Sequence, residues 1–523
     1  MFDVSVPDLD GLAAAEDAEV VAAIAGWAQV EAAACARRLA AIAELFCRRS
    51  GLATADERAC WWFDYWDAAA AEVGAAQGIS PGLASSQLHD GVALRDRLPK
   101  VAALFAAGRL SYRLVTAMVS RTDLVKDPDA LALIDTELAA HATTWGPMSV
   151  KKTQDAIDVW VDRYDPGALR RTHLAARGRQ VVIGAGEDES GIASLWGRLY
   201  ATDAAVLDRR LTQLARTVCD DDPRTLAQRR ADALGALAAG AVGLACSCGS
   251  DTCTAAVEDS ARPGPEVVIH VVAEAAAVAA TPDPAMSGET PPAPSATYRG
   301  VPPLSEVSKL FADTAPEPPA PPTMPSGFIV GGAVIPAPLL AELVARAKIR
   351  PIRHPGDAPP EPGYRPSAAL DAFVRCRDLT CRFPNCDRPA DRCDIDHTIP
   401  YPLGPTHASN LKCVCRPHHL LKTFWCGEDG WHDRQLPDGT VIWTSPAGHT
   451  YTTRPGSQVL FRTLCLPTGE LATPQPREPA RGDRGVMMPT RRRTRAQDRD
   501  YRINAERALN DTHVAERNQP PPF

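Results

Sequence analysis

Apolar residues at helical spacing dominate the first third of the chain. Cys35, Leu39, Ile42 and Phe46 follow one another at intervals of three or four residues, as on the buried face of an amphipathic helix. Similar stretches recur further along, separated by residues that end or cap helices. The pattern predicts helices over most of residues 20–175. The aromatic residues of this region are expected to pack in its core, as typical of large apolar side chains: Trp61, Trp62 and Trp66.

From residue 180 the pattern changes to shorter elements. Gln180–Ile183 and Ile192–Leu199 favour two strands, joined by a turn whose acidic residues argue against a phosphate-binding glycine loop. Helices are predicted again at 203–219 and 224–243. Val267–Ala273 is rich in β-branched residues and predicts a further strand.

Proline density indicates where the chain divides. Residues 281–325 contain 13 prolines and predict a semi-rigid linker without a packed core. The linker separates a mainly helical domain at 1–280 from a second folded unit at 326–475. Residues 476–523 are rich in Arg, Asp, Pro and Gln and are expected to be disordered.

Composition narrows the class of protein. Of 523 residues, 45% are hydrophobic and 23% charged, which fits a globular chain of several domains. The acidic N-terminus lacks the features of a secretory signal, and no run reaches the ~18 apolar residues of a membrane span. We therefore expect a soluble, cytoplasmic protein without membrane association. Its 15 cysteines are then expected to be thiols or metal ligands rather than disulfides.

Charge is distributed unevenly along the chain. Residues 341–523 carry 27 Lys and Arg against 21 Asp and Glu, whereas the whole chain carries 56 against 64. A basic C-terminal third on an acidic body suggests contact with a polyanion. The run RRRTR at 491–495 can either grip phosphates or remain solvated in the tail.

Two pairs of cysteine and histidine residues have the spacing of metal ligands. Cys381 and Cys386 form the first pair, and Cys415 and His418 form the second about thirty residues later. The second pair is i,i+3 at a predicted helix start, where Pro417 suits the first turn, so both side chains can face one tetrahedral zinc ion. Other cysteines nearby leave the choice of ligands open: Cys376, Cys393, Cys413 and Cys426.

A second group of polar residues lies between and after these pairs. Asp396, His397, Asn410 and His419 supply a carboxylate, two imidazoles and an amide, the groups that can hold a divalent cation and activate water. His419 lies about 100° around the helix from His418, so it points to a different site, together with Lys422. Because side chains alternate along a strand, Asp396 and His397 can serve one site only at a strand end or bend.

The pattern C-x4-C, D-H, N-L and C-x2-H-H-x2-K resembles the HNH motif of the ββα-metal endonucleases. The resemblance covers about 45 residues, with a motif core at 376–426. The helical region and proline-rich linker before it resemble the 13E12 repeat family, and phrases such as RRADALGALAAGA carry that looser likeness. The implied fold class is α+β and multidomain: a predominantly helical N-terminal domain with a few strands, and a small zinc-stabilised ββα-metal domain.

The HNH resemblance implies a role for each matching residue. His397 would deprotonate the attacking water, and Asp396 and His419 would hold a catalytic Mg²⁺, Mn²⁺ or other divalent ion. Asn410 would orient the base or complete the metal shell. Lys422 would contact nucleic acid. A structural Zn²⁺ would be held by the two ligand pairs already described: Cys381, Cys386, Cys415 and His418. The implied core has a β-hairpin ending near Asp396-His397, a loop with Asn410, a strand at Leu411–Cys415 and a helix from Arg416.

Two features carry weaker expectations. Cys246, Cys248 and Cys253 in CSCGSDTC can be metal ligands, with His270 as a conceivable fourth, or plain thiols in a tight loop. Segments between 431 and 453 predict β-hairpins that either extend a DNA-facing surface or cover the core.

Three functions remain open at this point. The first is an endonuclease that hydrolyses the phosphodiester bonds of DNA, with DNA as its partner and no small-molecule cofactor. The second is a zinc-stabilised nucleic-acid-binding protein without catalysis. The third is a helical interaction protein. The sequence gives no oligomeric state.

Overall fold

The structure is a computed structural model in which part of the chain is described. The described residues are 9–50, 57–146, 148–169, 180–184, 192–250, 252–253, 270–281, 326–330, 334–344, 348–427, 430–471 and 487–519. Nearly all of the predicted linker at 281–325 lies outside them.

Helices account for most of the regular structure. Those among the described residues are α1 (Leu9–Ala14), α2 (Asp17–Ser50), α3 (Tyr65–Gln77), α4 (Pro81–Asp96), α5 (Pro99–Ala106), α6 (Tyr112–Thr122), α7 (Pro128–His141), α8 (Val150–Tyr164), α9 (Ala201–Ala215), α10 (Leu226–Ala238), α11 (Ala275–Val278), α12 (Ala337–Val344), α13 (Ala368–Asp378), α14 (Arg416–Phe424), α15 (Ser457–Leu460) and α16 (Arg495–Arg517).

Small antiparallel sheets complete the architecture. The described strands are β1 (Gln180–Ile183), β2 (Leu195–Arg198), β3 (Val271–Ala273), β4 (Ser326–Ile329), β5 (Val334–Pro336), β6 (Cys393–His397), β7 (Leu411–Cys415), β8 (His432–Gln435), β9 (Val441–Thr444) and β10 (Thr450–Thr453). They form the pairs β1-β2 and β6-β7 and the three-stranded sheets β3-β4-β5 and β8-β9-β10. The expected mixture of helices and strands is therefore present.

The described residues divide into two compact units. The first combines the described residues up to 169 with those from 354 onward, and the second contains those from 180 to 281 and from 326 to 353. Both units are thus built from segments that lie on either side of the predicted linker.

Capping residues explain where the helices of the first unit begin. Asp64 accepts hydrogen bonds from two backbone amides at the start of α3 and forms a capping box with Asp67. Ser80, Ser111 and Ser149 cap α4, α6 and α8 in the same manner. These local signals fix helix starts that apolar periodicity alone leaves uncertain by a residue or two.

The core of this unit is built from helices α2 to α8. Its buried side chains include Leu39, Leu88, Leu98, Val101, Phe105, Val115, Met118, Ile134, Leu138, Ile157 and Val161. Trp66 packs against this core, as predicted, and stands edge-on to Phe46 at 5.1 Å. Trp62, in contrast, is 43% exposed, so the prediction of core packing does not hold for all three tryptophans.

One described helix, α2, is long and apolar enough to cross a membrane by length and composition. The sequence reading had found no such stretch. Leu39 and Ile42 of this helix are buried in the core with the other helices. A helix packed in this way is weak evidence for a membrane span, since the core helix of a soluble bundle has the same length and composition.

The C-terminal tail contains a helix where the composition predicts disorder. Helix α16 packs on the helical core of the first unit through buried Ile503 and through ion pairs of Arg499 with Asp123 and of Arg507 with Asp165. Arg507 Nη1 lies 2.7 Å from Asp165 Oδ2. Helix α16 is held by these ion pairs as well as by Ile503, so its composition predicts disorder although the helix is ordered.

The basic run at 491–495 also has partners within the protein. Arg491 Nη1 lies 2.8 Å from Asp64 Oδ2, and Arg495 Nη2 lies 2.8 Å from Asp67 Oδ2. Two of its arginines therefore bind the acidic start of α3, so they are not free to grip phosphates.

Candidate functional site

The four predicted zinc ligands come together at the junction of β7 and α14. Cys415 ends the strand and forms the N-cap of the helix, with Pro417 in the first turn, so His418 lies one helical turn away from it. Cys381 and Cys386 lie on the loop that follows α13. The ligand atoms of Cys381, Cys386, Cys415 and His418 all lie within 4.8 Å of one another.

The distances within this cluster suit a tetrahedral metal ion. Cys386 Sγ and Cys415 Sγ are 3.9 Å apart, and His418 Nδ1 lies 3.6 Å from Cys381 Sγ and 3.3 Å from Cys415 Sγ. Around one zinc ion, sulfur atoms should be about 3.8 Å apart, and sulfur and nitrogen about 3.6 Å. The cluster can therefore bind a metal such as zinc, with His418 offering Nδ1.

Burial and crowding disfavour ionisation of the three thiols when no cation is bound. Burial raises the pKa of Cys381 well above that of a free thiol, and contact with Cys381 raises the pKa of Cys415 to about 12. Three crowded thiols cannot ionise together unless a positive charge compensates them. Binding of a metal ion would supply that charge and release the thiol protons.

The surplus cysteines are not members of the ligand cluster. Cys393 is buried, and its thiol donates a hydrogen bond to the Pro389 carbonyl at 3.2 Å. Cys413 is buried beneath α13, whereas Cys426 is exposed. Among the described residues the ligand set is therefore the one that the sequence favoured.

A buried network of charges surrounds Asp396 on β6. The strands β6 and β7 are antiparallel, and the register sets Asp396 directly opposite Lys412. Asp396 Oδ2 accepts from Lys412 Nζ at 2.7 Å and from Lys422 Nζ at 2.6 Å. Asp433 on β8 lies 2.6 Å from the same Lys412 ammonium. The network thus contains two carboxylates and two ammonium groups.

These contacts set the ionisation of the network. Burial disfavours the carboxylate of Asp396, but Lys412, Lys422 and His419 together hold its pKa well below the usual range. Burial likewise disfavours the ammonium of Lys412, yet Asp396 and Asp433 raise its pKa above that of an ordinary lysine. Asp396 and Lys412 therefore carry their charges at neutral pH, whereas burial and the neighbouring Lys412 lower the pKa of Lys422.

The second oxygen of Asp396 faces His419. Asp396 Oδ1 lies 3.5 Å from His419 Nε2, while His419 Nδ1 lies 2.8 Å from Asp394 Oδ2. The helical offset between His418 and His419 thus sends the two imidazoles to different sites, as the sequence predicts. A carboxylate oxygen and an imidazole nitrogen at this separation can share one divalent cation.

His397 ends β6 and is buried, with 5% of its surface exposed. Its ring stacks on Tyr364 with a centroid distance of 5.2 Å. Its Nε2 lies 2.9 Å from Thr406 Oγ1, and the same hydroxyl lies 2.6 Å from the Gly363 carbonyl. A carbonyl can only accept, so the hydroxyl donates to Gly363 and accepts from Nε2–H. Nδ1 is then the unprotonated nitrogen of the neutral ring.

Asn410 holds the loop between β6 and β7. Its side-chain oxygen accepts from Ile399 N at 2.8 Å, and its amide nitrogen donates to the carbonyls of Ile399 and Pro405. All three of these bonds are to backbone atoms of the loop that follows His397. Of the two roles that the HNH resemblance implies for Asn410, these contacts fit the one in which it positions His397.

Lys422 is an internal ion-pair partner, which corrects its assignment as a nucleic-acid contact. Its side chain is 11% exposed, and its ammonium donates to Asp396 Oδ2 and, at 2.6 Å, to the backbone carbonyl of His397. It thereby ties Asp396 to His397. Lys412 and Asp433 were missed by sequence reasoning, although pairing β6 with β7 in register would have located Lys412.

The sheet β8-β9-β10 covers this region. Trp443 is fully buried, donates to the Arg382 carbonyl at 2.8 Å and packs on Phe383, which in turn stacks on His418 at 4.0 Å. Gln435 of β8 donates to the carbonyls of Ala408 and Leu411. Of the two expectations for these hairpins, covering the core is the one that these contacts support.

Comparison with known proteins identifies the family. The chain matches the family described as "Domain of unknown function (DUF222)" over residues 27–378, about two thirds of its length. The chain belongs to the DUF222 family. The DUF222 match ends before Cys381, so the candidate site lies beyond it. The family found is thus DUF222 rather than HNH or 13E12 by name.

DUF222 relatives occur in Mycobacterium tuberculosis. "Uncharacterized protein Rv2100" is 58% identical over 524 residues, which cover all of this chain and 93% of the relative. "Uncharacterized protein Rv3776" is 55% identical over 526 residues, covering all of this chain and 95% of the relative. "Uncharacterized protein in est 3'region" is 54% identical over 71% of this chain and its own full length. No solved structure shows a significant match.

Proposed function

We propose that the region from Cys381 to Lys422 is a metal-dependent DNA endonuclease of the HNH, or ββα-metal, type. The observation that carries the proposal is the juxtaposition of two ligand sets on two strands and one helix. One set is the tetrahedral cluster at Cys415 and His418, and the other is the Asp396–His419 pair. Antiparallel β6 and β7 followed directly by α14 match the order of elements that the HNH resemblance implies.

His397 would act as the general base through Nδ1. The Thr406 hydroxyl accepts from Nε2–H, so the lone pair lies on the other ring nitrogen. Burial lowers the pKa of the His397 imidazole, which favours the neutral form that can take a proton at pH 7.

Asp396 and His419 fit a divalent cation. Both lysines bind Oδ2 of Asp396, while Oδ1 faces His419 Nε2 at 3.5 Å. Such an ion, when bound, would stabilise the negative charge that develops on the phosphate and the leaving oxygen.

The proposed reaction is hydrolysis of one phosphodiester bond. The water oxygen forms a bond to phosphorus as His397 Nδ1 takes its proton. The bond between phosphorus and one deoxyribose oxygen breaks, and that oxygen takes a proton from solvent. The buried lysines Lys412 and Lys422 keep Asp396 ionised and in place during this step. The zinc cluster would hold the start of α14, and hence His419, against β6.

The decisive test is nicking of supercoiled plasmid by the full-length protein after Mn²⁺ or Mg²⁺ is added to metal-free buffer. We expect no nicking before the addition and nicking after it. His419→Ala should require at least about 10-fold more Mn²⁺ for the same rate, because it loses one ligand of the ion. Its matched control is His449→Ala, an exposed histidine outside the site. Absence of nicking with either ion, or equal metal dependence of the two variants, would overturn the proposal.

Thr406 gives a second test, as a positioning residue for the base. Thr406→Val keeps the size of the buried side chain but removes the acceptor for Nε2–H, so the correct tautomer is no longer fixed. We expect the nicking rate to fall about 10-fold, the effect of losing about 1.4 kcal/mol of hydrogen bonding, with zinc content unchanged. Thr406→Ser keeps the hydroxyl and should retain most of the wild-type nicking rate. A Thr406→Val protein with the wild-type rate and pH profile would contradict this role.

One observation favours a non-catalytic alternative. Two lysines already compensate Asp396, and Tyr364 covers the ring of His397. A zinc-stabilised module that binds nucleic acid without cutting would need no metal at Asp396. Salt-dependent DNA binding without nicking in the same assay would support this alternative over the nuclease.

A further inference from the structure

A second cluster of cysteines lies in the other unit of the chain. Cys219 is in the connection between α9 and α10, whereas Cys246, Cys248 and Cys253 follow α10. Their four sulfur atoms lie within 4.8 Å of one another, and Cys219 Sγ and Cys246 Sγ are 3.4 Å apart. From the sequence, Cys246, Cys248 and Cys253 are candidate ligands, with His270 as a conceivable fourth. In the structure the fourth residue of the cluster is Cys219.

The spacing of the sulfur atoms discriminates between kinds of site. Four thiolates around one zinc ion lie about 3.8 Å apart, close to what is seen here. The ligands of an iron–sulfur cluster bind separate irons and must lie further apart. A disulfide requires a sulfur–sulfur distance of about 2.05 Å, whereas Cys219 Sγ and Cys246 Sγ are 3.4 Å apart. The geometry thus favours a single ion held by all four cysteines.

The two segments that carry the cysteines are joined by hydrogen bonds next to the cluster. Asp222 has a fully buried side chain that accepts from Ser247 N at 2.9 Å and pairs with Arg224 at 2.7 Å. Arg224 in turn donates to the Ala245 carbonyl at 2.7 Å. Leu244 N donates to Thr217 Oγ1 at 3.1 Å. These contacts hold both segments in the conformation that brings the four sulfurs together, so the ligands are preorganised.

The helix pair around the cluster has little apolar core of its own. The buried apolar residues described between 201 and 253 are Leu214, Ala215, Val218, Ala233 and Leu244. A helix pair with so little buried apolar surface generally needs a metal or a covalent link to be stable. A metal ion at the cysteines would join the end of α9 to the segment after α10.

We propose that Cys219, Cys246, Cys248 and Cys253 hold a zinc ion in a tetrathiolate site of structural role. All four positions of the tetrahedron are filled by protein ligands, which leaves no position for water or substrate. The site is independent of the proposed nuclease centre, since it shares no residue with it. The full-length protein should accordingly contain about two zinc ions per chain.

Metal analysis of the purified full-length protein tests this proposal. Cys219→Ser should lower the zinc content by one ion per chain, Cys415→Ser should lower it by one ion from the other site, and Cys47→Ser, an exposed cysteine outside both clusters, should not change it. Zinc that is unaffected by Cys219→Ser, or iron in its place, would overturn the assignment. If Cys415→Ser leaves the zinc content unchanged while Cys219→Ser lowers it, the zinc assignment at Cys415 is wrong and the tetrathiolate site is supported.

Alkylation of the wild-type protein covers the case in which Cys219→Ser does not fold. Peptide mapping should show that these four cysteines react slowly with iodoacetamide in the zinc-loaded protein and rapidly after chelation. Reaction at equal rates with and without chelator would overturn the proposal. A Cys219–Cys246 disulfide, seen as an unreactive pair whose mass is two hydrogens lower, would overturn it as well.

Discussion

Replacement of His397 by alanine is expected to lower the rate of metal-dependent plasmid nicking by at least about 10²-fold, the usual scale for loss of a general base. The imidazole is held by Thr406 on one nitrogen and by the Tyr364 ring on its face, so its position is fixed before any substrate binds. Initial nicking rates at saturating Mn²⁺ measure the effect.

Controls separate loss of the base from loss of the fold. Zinc content and DNA affinity of His397→Ala should match wild type, because His397 belongs to neither ligand cluster. His449→Ala should nick at the wild-type rate. If His397→Ala itself nicks at the wild-type rate, His397 is not the base, and the activity comes from another residue or from a contaminating nuclease.

The proposed role of His397 as the base also predicts how the nicking rate depends on pH. Only neutral imidazole can accept a proton, and burial lowers the pKa of His397 below its ordinary value near ~6.5. The rate should therefore be level between pH 7 and 8 and should fall only as the pH drops below that ordinary value. A rate that falls already between pH 8 and 7 would point to a different ionising group.

Local spacing was enough to predict the cluster of Cys381, Cys386, Cys415 and His418. Cys415 and His418 are three residues apart on a helix whose start is marked by Pro417, so their convergence follows from helix geometry alone. The opposite direction of His419 follows from the same geometry. The network at Asp396 needed one further step, the pairing register of β6 and β7, which sets Lys412 opposite it. Residue types alone carry no information on that register.

Contacts between distant segments could not be predicted from the sequence. Asp222 and Cys219 meet the segment from Leu244 to Cys253 across a whole helix, and no periodicity links them. Helix α16 is ordered by pairs such as Arg507 with Asp165, more than 300 residues apart in the sequence. Ion pairs of this kind leave a composition that resembles disorder, because they replace the apolar residues that usually indicate a folded segment.

Contacts within the first unit indicate how far unfolding should extend when the zinc ion is lost. Phe383 stacks on His418, and Trp443 packs on Phe383, so the covering sheet depends on the cluster. Helix α14 is followed by Trp425, which packs edge-on against Tyr65 at 5.0 Å and donates to the Phe63 carbonyl. The helical core from α2 to α8 has its own extensive set of buried side chains and should survive.

Cys415→Ser is therefore expected to release the zinc ion and unfold the segment from β6 to α14, while the helical core remains folded. Apparent binding free energies of structural zinc, about 10–16 kcal/mol, are as large as the whole stability of a typical domain, so this segment should not persist without the ion. Hydrogen exchange should show rapid exchange at Leu411–Cys415 and unchanged protection in α5 to α8. Cys376→Ser, a neighbouring cysteine outside the cluster, is the control. Retained zinc, or full protection of β7 in Cys415→Ser, would show that this segment is held by packing and that the cluster is not required for its fold.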